Sequence, residues 1–113
     1  MSISISQHTE HFATAPQISP QDMAAIAALG FHTIINNRPD GEGGTEQPTS
    51  DTMALAARAA GLAYHYLPVI SGQITSEQVA QFAALMEGAP GPVLAFCRSG
   101  ARSTNIWVMA LAQ

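Results

Sequence analysis

The sequence predicts an α/β domain built on a mainly parallel sheet. Three observations lead there. Strand-like and helix-like stretches alternate along the 113 residues. The run Pro92–Phe96 (PVLAF) is wholly apolar, as in a strand covered on both faces. The only cysteine, Cys97, follows that strand and opens a tight turn before another helical stretch. In open parallel sheets, ligands bind at this edge, beyond the carboxyl ends of the strands.

The elements follow in order. Residues 1–10 are polar and read as a loosely held tail, leaving 11–113 as a single domain, cut from a longer or fused chain. HFATA suits a short edge strand. SPQDMAAIAALG reads as a helix: Ser19 suits the N-cap, Pro20 the first helical position, Asp22 the first turn and Gly30 the position after the last turn. Phe31–Asn36 (FHTIIN) carries the β-branched and aromatic residues of a strand. Asn37–Pro48 (NRPDGEGGTEQP) is too rich in Pro and Gly for regular structure. SDTMALAARAAG is a helix from about Asp51, stopped by Gly61, and AYHYLP is a strand ending at Pro68. TSEQVAQFAALMEG is a helix whose Thr75 and Gln78 form a capping box, with Val79, Phe82, Ala83 and Met86 at helical spacing. STNIWVMALAQ is apolar almost all round, and a buried helix is expected.

Composition narrows the function. Apolar residues make up 47% and charged residues 11%, which fits a globular domain and excludes a disordered chain. The net charge is −4, with no lysine and four arginines, so a nucleic-acid or anionic-membrane surface is not expected. The N-terminus is not that of a secretory signal, and no apolar run approaches the ~20 residues that span a bilayer. One cysteine makes no internal disulfide. Together these imply a cytoplasmic setting.

Two of the four arginines lie within five residues of the thiol, in FCRSGARS. Ser99, Gly100 and Ala101 are small enough for a tight loop whose backbone N–H groups turn inward and bind an anion. The following helix N-terminus adds partial positive charge. Arg102 supplies a planar fork for oxyanion atoms. The same features favour the thiolate of Cys97, with Ser103 a hydroxyl donor to the sulfur. Arg98 points outward and guides anions in. A buried, inert cysteine is the alternative, but it needs no such cluster after it.

The loop resembles the cysteine–arginine signature shared by protein tyrosine phosphatases and rhodaneses. The wider chain is similar to the phosphatase-like domain of the beta-lactamase-hydrolase-like family. APQISPQDMAAIAALGFHTIINNRPDGEG, AARAAGLAYHYLPVISGQIT and VLAFCRSGARS carry that resemblance. It implies a three-layer tyrosine-phosphatase-like domain, with about four to five strands flanked by helices. It implies Cys97 as nucleophile and Arg102 as anion binder. It also implies a fused or separate partner, a metallo-hydrolase-like domain that oxidises persulfides, and a place in sulfide metabolism.

The chain departs from the tyrosine phosphatases in three ways. Four residues, not five, separate Cys97 from Arg102, as in many rhodaneses. Phe96 stands where His is usual. The stretch YLPVISGQIT holds no carboxylate where an acid is expected. Expelling an alkoxide from phosphorus is slow unless the leaving oxygen is protonated; sulfite leaves sulfur readily without help. The expected function is therefore sulfane-sulfur transfer, from thiosulfate or a persulfide, through a Cys97 persulfide. The alternatives are a phosphatase working through a Cys97 phosphocysteine, and a non-catalytic oxyanion or persulfide sensor.

Asp40 bears on that choice. It can be a general acid swinging over the site, or part of a solvated turn with Pro39 and Gly41. Arg38 is a second candidate anion contact. No cofactor or metal is expected: His8 and His11 lack a third ligand. His32 and His65 read as core or half-buried strand residues, Trp107 and Met109 as core, and Glu42 and Glu46 as solvated loop charges.

Overall fold

The computed structural model describes residues 3–113. Five strands form one sheet in the order β1-β2-β5-β3-β4: β1 (Ser6–Thr9), β2 (Phe12–Ala15), β3 (Thr33–Asn36), β4 (Ala63–Tyr66) and β5 (Val93–Phe96). Only the β1–β2 pair is antiparallel; β2, β5, β3 and β4 run parallel. Four helices cover the faces: α1 (Met23–Ala28), α2 (Ser50–Ala59), α3 (Ser76–Gly88) and α4 (Ala101–Leu111).

Strand alternation divides the core into two layers. Ala13, Ile34, Leu94 and Phe96 pack with Met23 and Ile26 of α1 and Met53 and Ala57 of α2. Phe12, Ile35, Val93 and Ala95 pack with Val79 and Phe82 of α3 and Ile106 of α4. β5 is central and buried at all four positions, which explains its unbroken apolar run. Truncating Phe96 to Ala costs about 3–5 kcal/mol.

The local signals are largely visible. Thr75 Oγ1 accepts from Gln78 N, and Gln78 Oε1 accepts from Thr75 N. Gly30 and Gly61 both take positive φ after their helices. Asp22 accepts from the Ser19 backbone N–H, closing the first turn.

Five expectations are corrected. The polar stretch 1–10 is not wholly a loose tail, because Ser6–Thr9 pairs with Phe12–Ala15 as β1. Within HFATA, Phe12–Ala15 is consequently an interior strand, between β1 and β5 and buried throughout. α4 is buried on one side only: Val108, Met109 and Leu111 are exposed. His32 is exposed just before β3. Trp107 is half-buried, stacked on Phe12 and close to His8.

Register sets up the site. Ala15, Asn36 and Phe96 lie side by side, with Tyr66 beside Asn36. Pro16, Asn37, Cys97 and Leu67 therefore leave the sheet together at its carboxyl edge.

Candidate active site

Cys97 is wholly buried at the end of β5. Gly100 reverses the chain with φ +95° and serves as N-cap of α4. A Cβ there would sit 3.4 Å from the backbone of Ala15, in ordinary contact, so it is the positive φ that requires glycine. The turn aims its backbone donors at the sulfur: Gly100 N–H donates to Cys97 Sγ at 3.1 Å. Burial pushes the thiol pKa up. The N–H groups of Ser103, Gly100 and Arg102 outweigh it and leave the thiol below its ordinary range. The Ser103 hydroxyl also reaches the sulfur. It has only one hydrogen, however, and donates it to Asn37 Oδ1 at 2.8 Å. The depression of the thiol therefore rests on backbone donors.

Arg102, in the first turn of α4, is buried and clamped. Its Nη1 donates to Val69 O at 2.9 Å and to Glu42 Oε2 at 2.7 Å; Nη2 donates to Glu42 Oε1 at 2.6 Å. Arg38 Nε donates to the same Oε1 at 3.0 Å, and Arg38 Nη1 to Gln17 Oε1 at 3.1 Å. The hydrogen bond from Arg102 first, and that from Arg38 with it, hold the Glu42 carboxyl below the usual carboxylate range despite burial. Glu42 in turn raises Arg102. Among the described residues, no oxygen accepts from Arg102 Nε or from the second Nη2 hydrogen, and the Cys97 sulfur lies within reach of the guanidinium and raises Arg102 further. That edge of the guanidinium remains available to an oxyanion.

A cavity of about 860 Å³ opens at this edge, lined by Arg38, Glu42, Gly43, Ser71, Arg98, Ser99, Ala101 and Arg102. The structure thus brings together Arg38, Arg98, Ser99, Ala101 and Arg102 around the cavity, with Cys97, Gly100 and Ser103 beneath them. Arg98 is exposed, as expected for an outward-pointing guide.

Asp40 is placed differently. Its Oδ1 accepts from Ser50 N at 2.8 Å, at the start of α2, and its own N–H donates to Tyr66 Oη at 2.9 Å. It does not line the cavity. Glu46 is exposed. Glu42 is exposed, as expected of a loop charge, but two arginines also hold it. Asn37 and Gln17 were also missed. Side chains arriving from distant segments carry no local pattern, and Glu42 is sixty residues from Arg102 in sequence.

Comparison with known proteins agrees with this geometry. The profile of the beta-lactamase hydrolase-like protein, phosphatase-like domain, matches residues 4–113. The chain belongs to that family. A beta-lactamase hydrolase-like protein of Xylella fastidiosa is 37% identical over 101 residues, 89% of this chain and 23% of the relative. The chain thus spans less than a quarter of that relative's length. A candidate phosphatase from Neisseria meningitidis is 38% identical with a TM-score of 0.81, covering 88% of this chain and 70% of the other. Tk-PTP shares the fold at 18% identity, with a TM-score of 0.72 over 96% of this chain and 70% of its own. The phosphatase-like domain therefore has the tyrosine-phosphatase-like α/β fold, and no helix among the described residues is long and apolar enough to cross a membrane.

Proposed function

We propose that this phosphatase-like domain is a cysteine-dependent phosphatase. The observation that carries the reading is the Nε/Nη2 edge of Arg102, which no oxygen occupies, with the guanidinium in reach of a thiol of depressed pKa. The Cys97 thiolate attacks phosphorus, an S–P bond forms, and the bond to the leaving oxygen breaks. Water then cleaves the phosphocysteine and regenerates the thiolate. Arg102 holds the phosphoryl oxygens through both steps. Cys97 is wholly buried at rest, so the exposed Arg98–Ser99 turn must shift to admit the substrate. The family's phosphatase-like character and the Neisseria relative support phosphorus over the sulfur chemistry expected from loop length.

Sulfur transfer through a Cys97 persulfide is the second reading. The positions of Asp40 and Glu42 favour it: one carboxylate binds α2, and the other is held ionised by two arginines. A persulfide-oxidising metallo-hydrolase-like partner, fused or separate, and a cytoplasmic setting go with this reading. One experiment separates the two. The protein is incubated with p-nitrophenyl phosphate and, separately, with thiosulfate, and the intact mass is followed. Turnover of the aryl phosphate through a trapped phosphocysteine supports the proposal. A gain of one sulfur on Cys97 without aryl phosphate turnover overturns it. Anion binding without either reaction identifies a sensor.

A further inference from the structure

The cavity contains more positive charge than one reacting phosphoryl group requires. Three of the chain's four arginines, Arg38, Arg98 and Arg102, line it, although the net charge is −4. Arg38 and Arg102 are both about nine-tenths buried and share a single carboxylate, that of Glu42. A buried guanidinium with half a counter-ion is under-compensated, which is costly unless a further anion joins it. Arg38 is also held in place closely. A Cβ on Gly43 would lie 2.7 Å from Arg38 Nη2, so a side chain there would push the guanidinium aside. Arg38 Nη2 and the second Nη1 hydrogen have no acceptor among the described residues. Arg38 Nε and Arg102 Nη2 approach the same oxygen, so the two forks are close neighbours.

The rest of the lining points the same way. Among the described residues, no aromatic or large apolar side chain lines the cavity to enclose a phosphoaryl ring. The only carboxylate in it is held ionised and is a poor proton donor. A leaving group here must depart without a proton, so it must be weakly basic.

We propose, resting on the phosphatase reading, that the substrate is a phosphoric anhydride, a small hydrophilic molecule with two adjacent phosphoryl groups. Arg102 holds the phosphoryl attacked by Cys97, and Arg38 holds the one that leaves. The S–P bond forms as the P–O bond to the bridging oxygen breaks. The departing phosphate keeps the electron pair and needs no proton near neutral pH. Water then hydrolyses the phosphocysteine to a second phosphate, and its protons pass to the products.

The test uses inorganic pyrophosphate and orthophosphate. In calorimetry with the Cys97→Ser protein, pyrophosphate is expected to bind at least ~10-fold more tightly, the gain from one further charge-assisted contact. Arg38→Gln in that background is expected to bring the two close to parity. Arg58→Gln makes the same change in net charge away from the cavity and is expected to keep the preference. Equal affinities in the Cys97→Ser protein, or a preference surviving in folded Arg38→Gln protein, overturn the assignment. Should Arg38→Gln not fold, wild-type turnover decides. kcat/KM for pyrophosphate is expected to exceed that for phosphoserine, whose leaving group is a basic alkoxide, by ~10²-fold or more. A ratio near one overturns the anhydride. Preferential pyrophosphate binding with no turnover of any phosphate compound would instead overturn the phosphatase reading and leave the paired anion site standing.

Discussion

Two loops frame the cavity. The Cys97–Gly100 turn is short, and its own backbone N–H groups define it, with Gly100 held at positive φ against Ala15. The Asn37–Gln47 loop is long, and side chains tie it down: Arg38 to Glu42 and Gln17, Asp40 to the start of α2, Gln47 Oε1 to the N–H of Gly43. The first loop holds the thiol below its ordinary range through backbone donors. The second orients the arginine belonging to the first, through Glu42. Chemistry that depends on a thiolate can therefore be written in a few adjacent residues, whereas orientation of the anion binder is distributed over the fold.

Mutations should separate the two roles. The largest effect is expected in the short turn: Cys97→Ser should lower phosphatase turnover by ~10³-fold or more, because no other residue replaces the nucleophile. Arg102→Lys keeps the charge but loses the fork, and kcat/KM should fall about 10²-fold. Arg98→Ala should cost much less, and equal losses would show that the two arginines have been assigned wrongly.

Changes in the long loop should have smaller effects. Glu42→Gln leaves Arg102 oriented by Val69 O and one amide oxygen, and anion affinity should fall roughly 10-fold. It should also remove an acid-sensitive part of stability. Glu42 has a depressed folded pKa, so its stabilisation is complete above the ordinary carboxylate range and is lost as pH falls through the folded value. Urea melts at neutral and acid pH check this; an unchanged pH dependence in Glu42→Gln would separate Glu42 from the arginines.

The smallest effect is expected from Asp40→Asn. The amide oxygen can still accept from Ser50 N, so stability and turnover should stay within ~3-fold. A loss of ~10²-fold that grows with leaving-group basicity would instead make Asp40 the general acid, despite its resting place on α2. Iodoacetamide sharpens the thiol side: the pH midpoint for alkylation of Cys97 should lie below that of free cysteine.

Legibility followed the same division. Alternating elements, the covered strand β5 and the Cys97–Ser103 cluster could be read because each signal lies within a few residues. Glu42 could not, because its character as a clamped ion appears only when Arg102 arrives from α4. Asp40 could be read as a mobile acid or as a turn residue, because its partner in the structure, a backbone N–H ten residues on, leaves no mark on its sequence neighbours. Met109 and Val108 misled through composition, since apolar content alone does not say which side of a helix meets the sheet. Burial of β2 depended on β1, whose polar sequence gave little sign of a strand.

Asn37 shows how closely the two loops are tied. Its N–H donates to Phe96 O and its carbonyl accepts from Val69 N; its side-chain amide donates to Leu67 O and accepts from Ser103 Oγ. The end of β5, the segment after β4 and the helix bearing Arg102 thus hang from one wholly buried residue. It works as a shared pivot. The joint lies inboard of Gly41–Gly44, a stretch with its own ties through Glu42 to the two arginines and through the Gly43 N–H to Gln47 Oε1. Amide exchange should find Asn37 and Val69, whose N–H groups bond between buried segments, among the last to exchange.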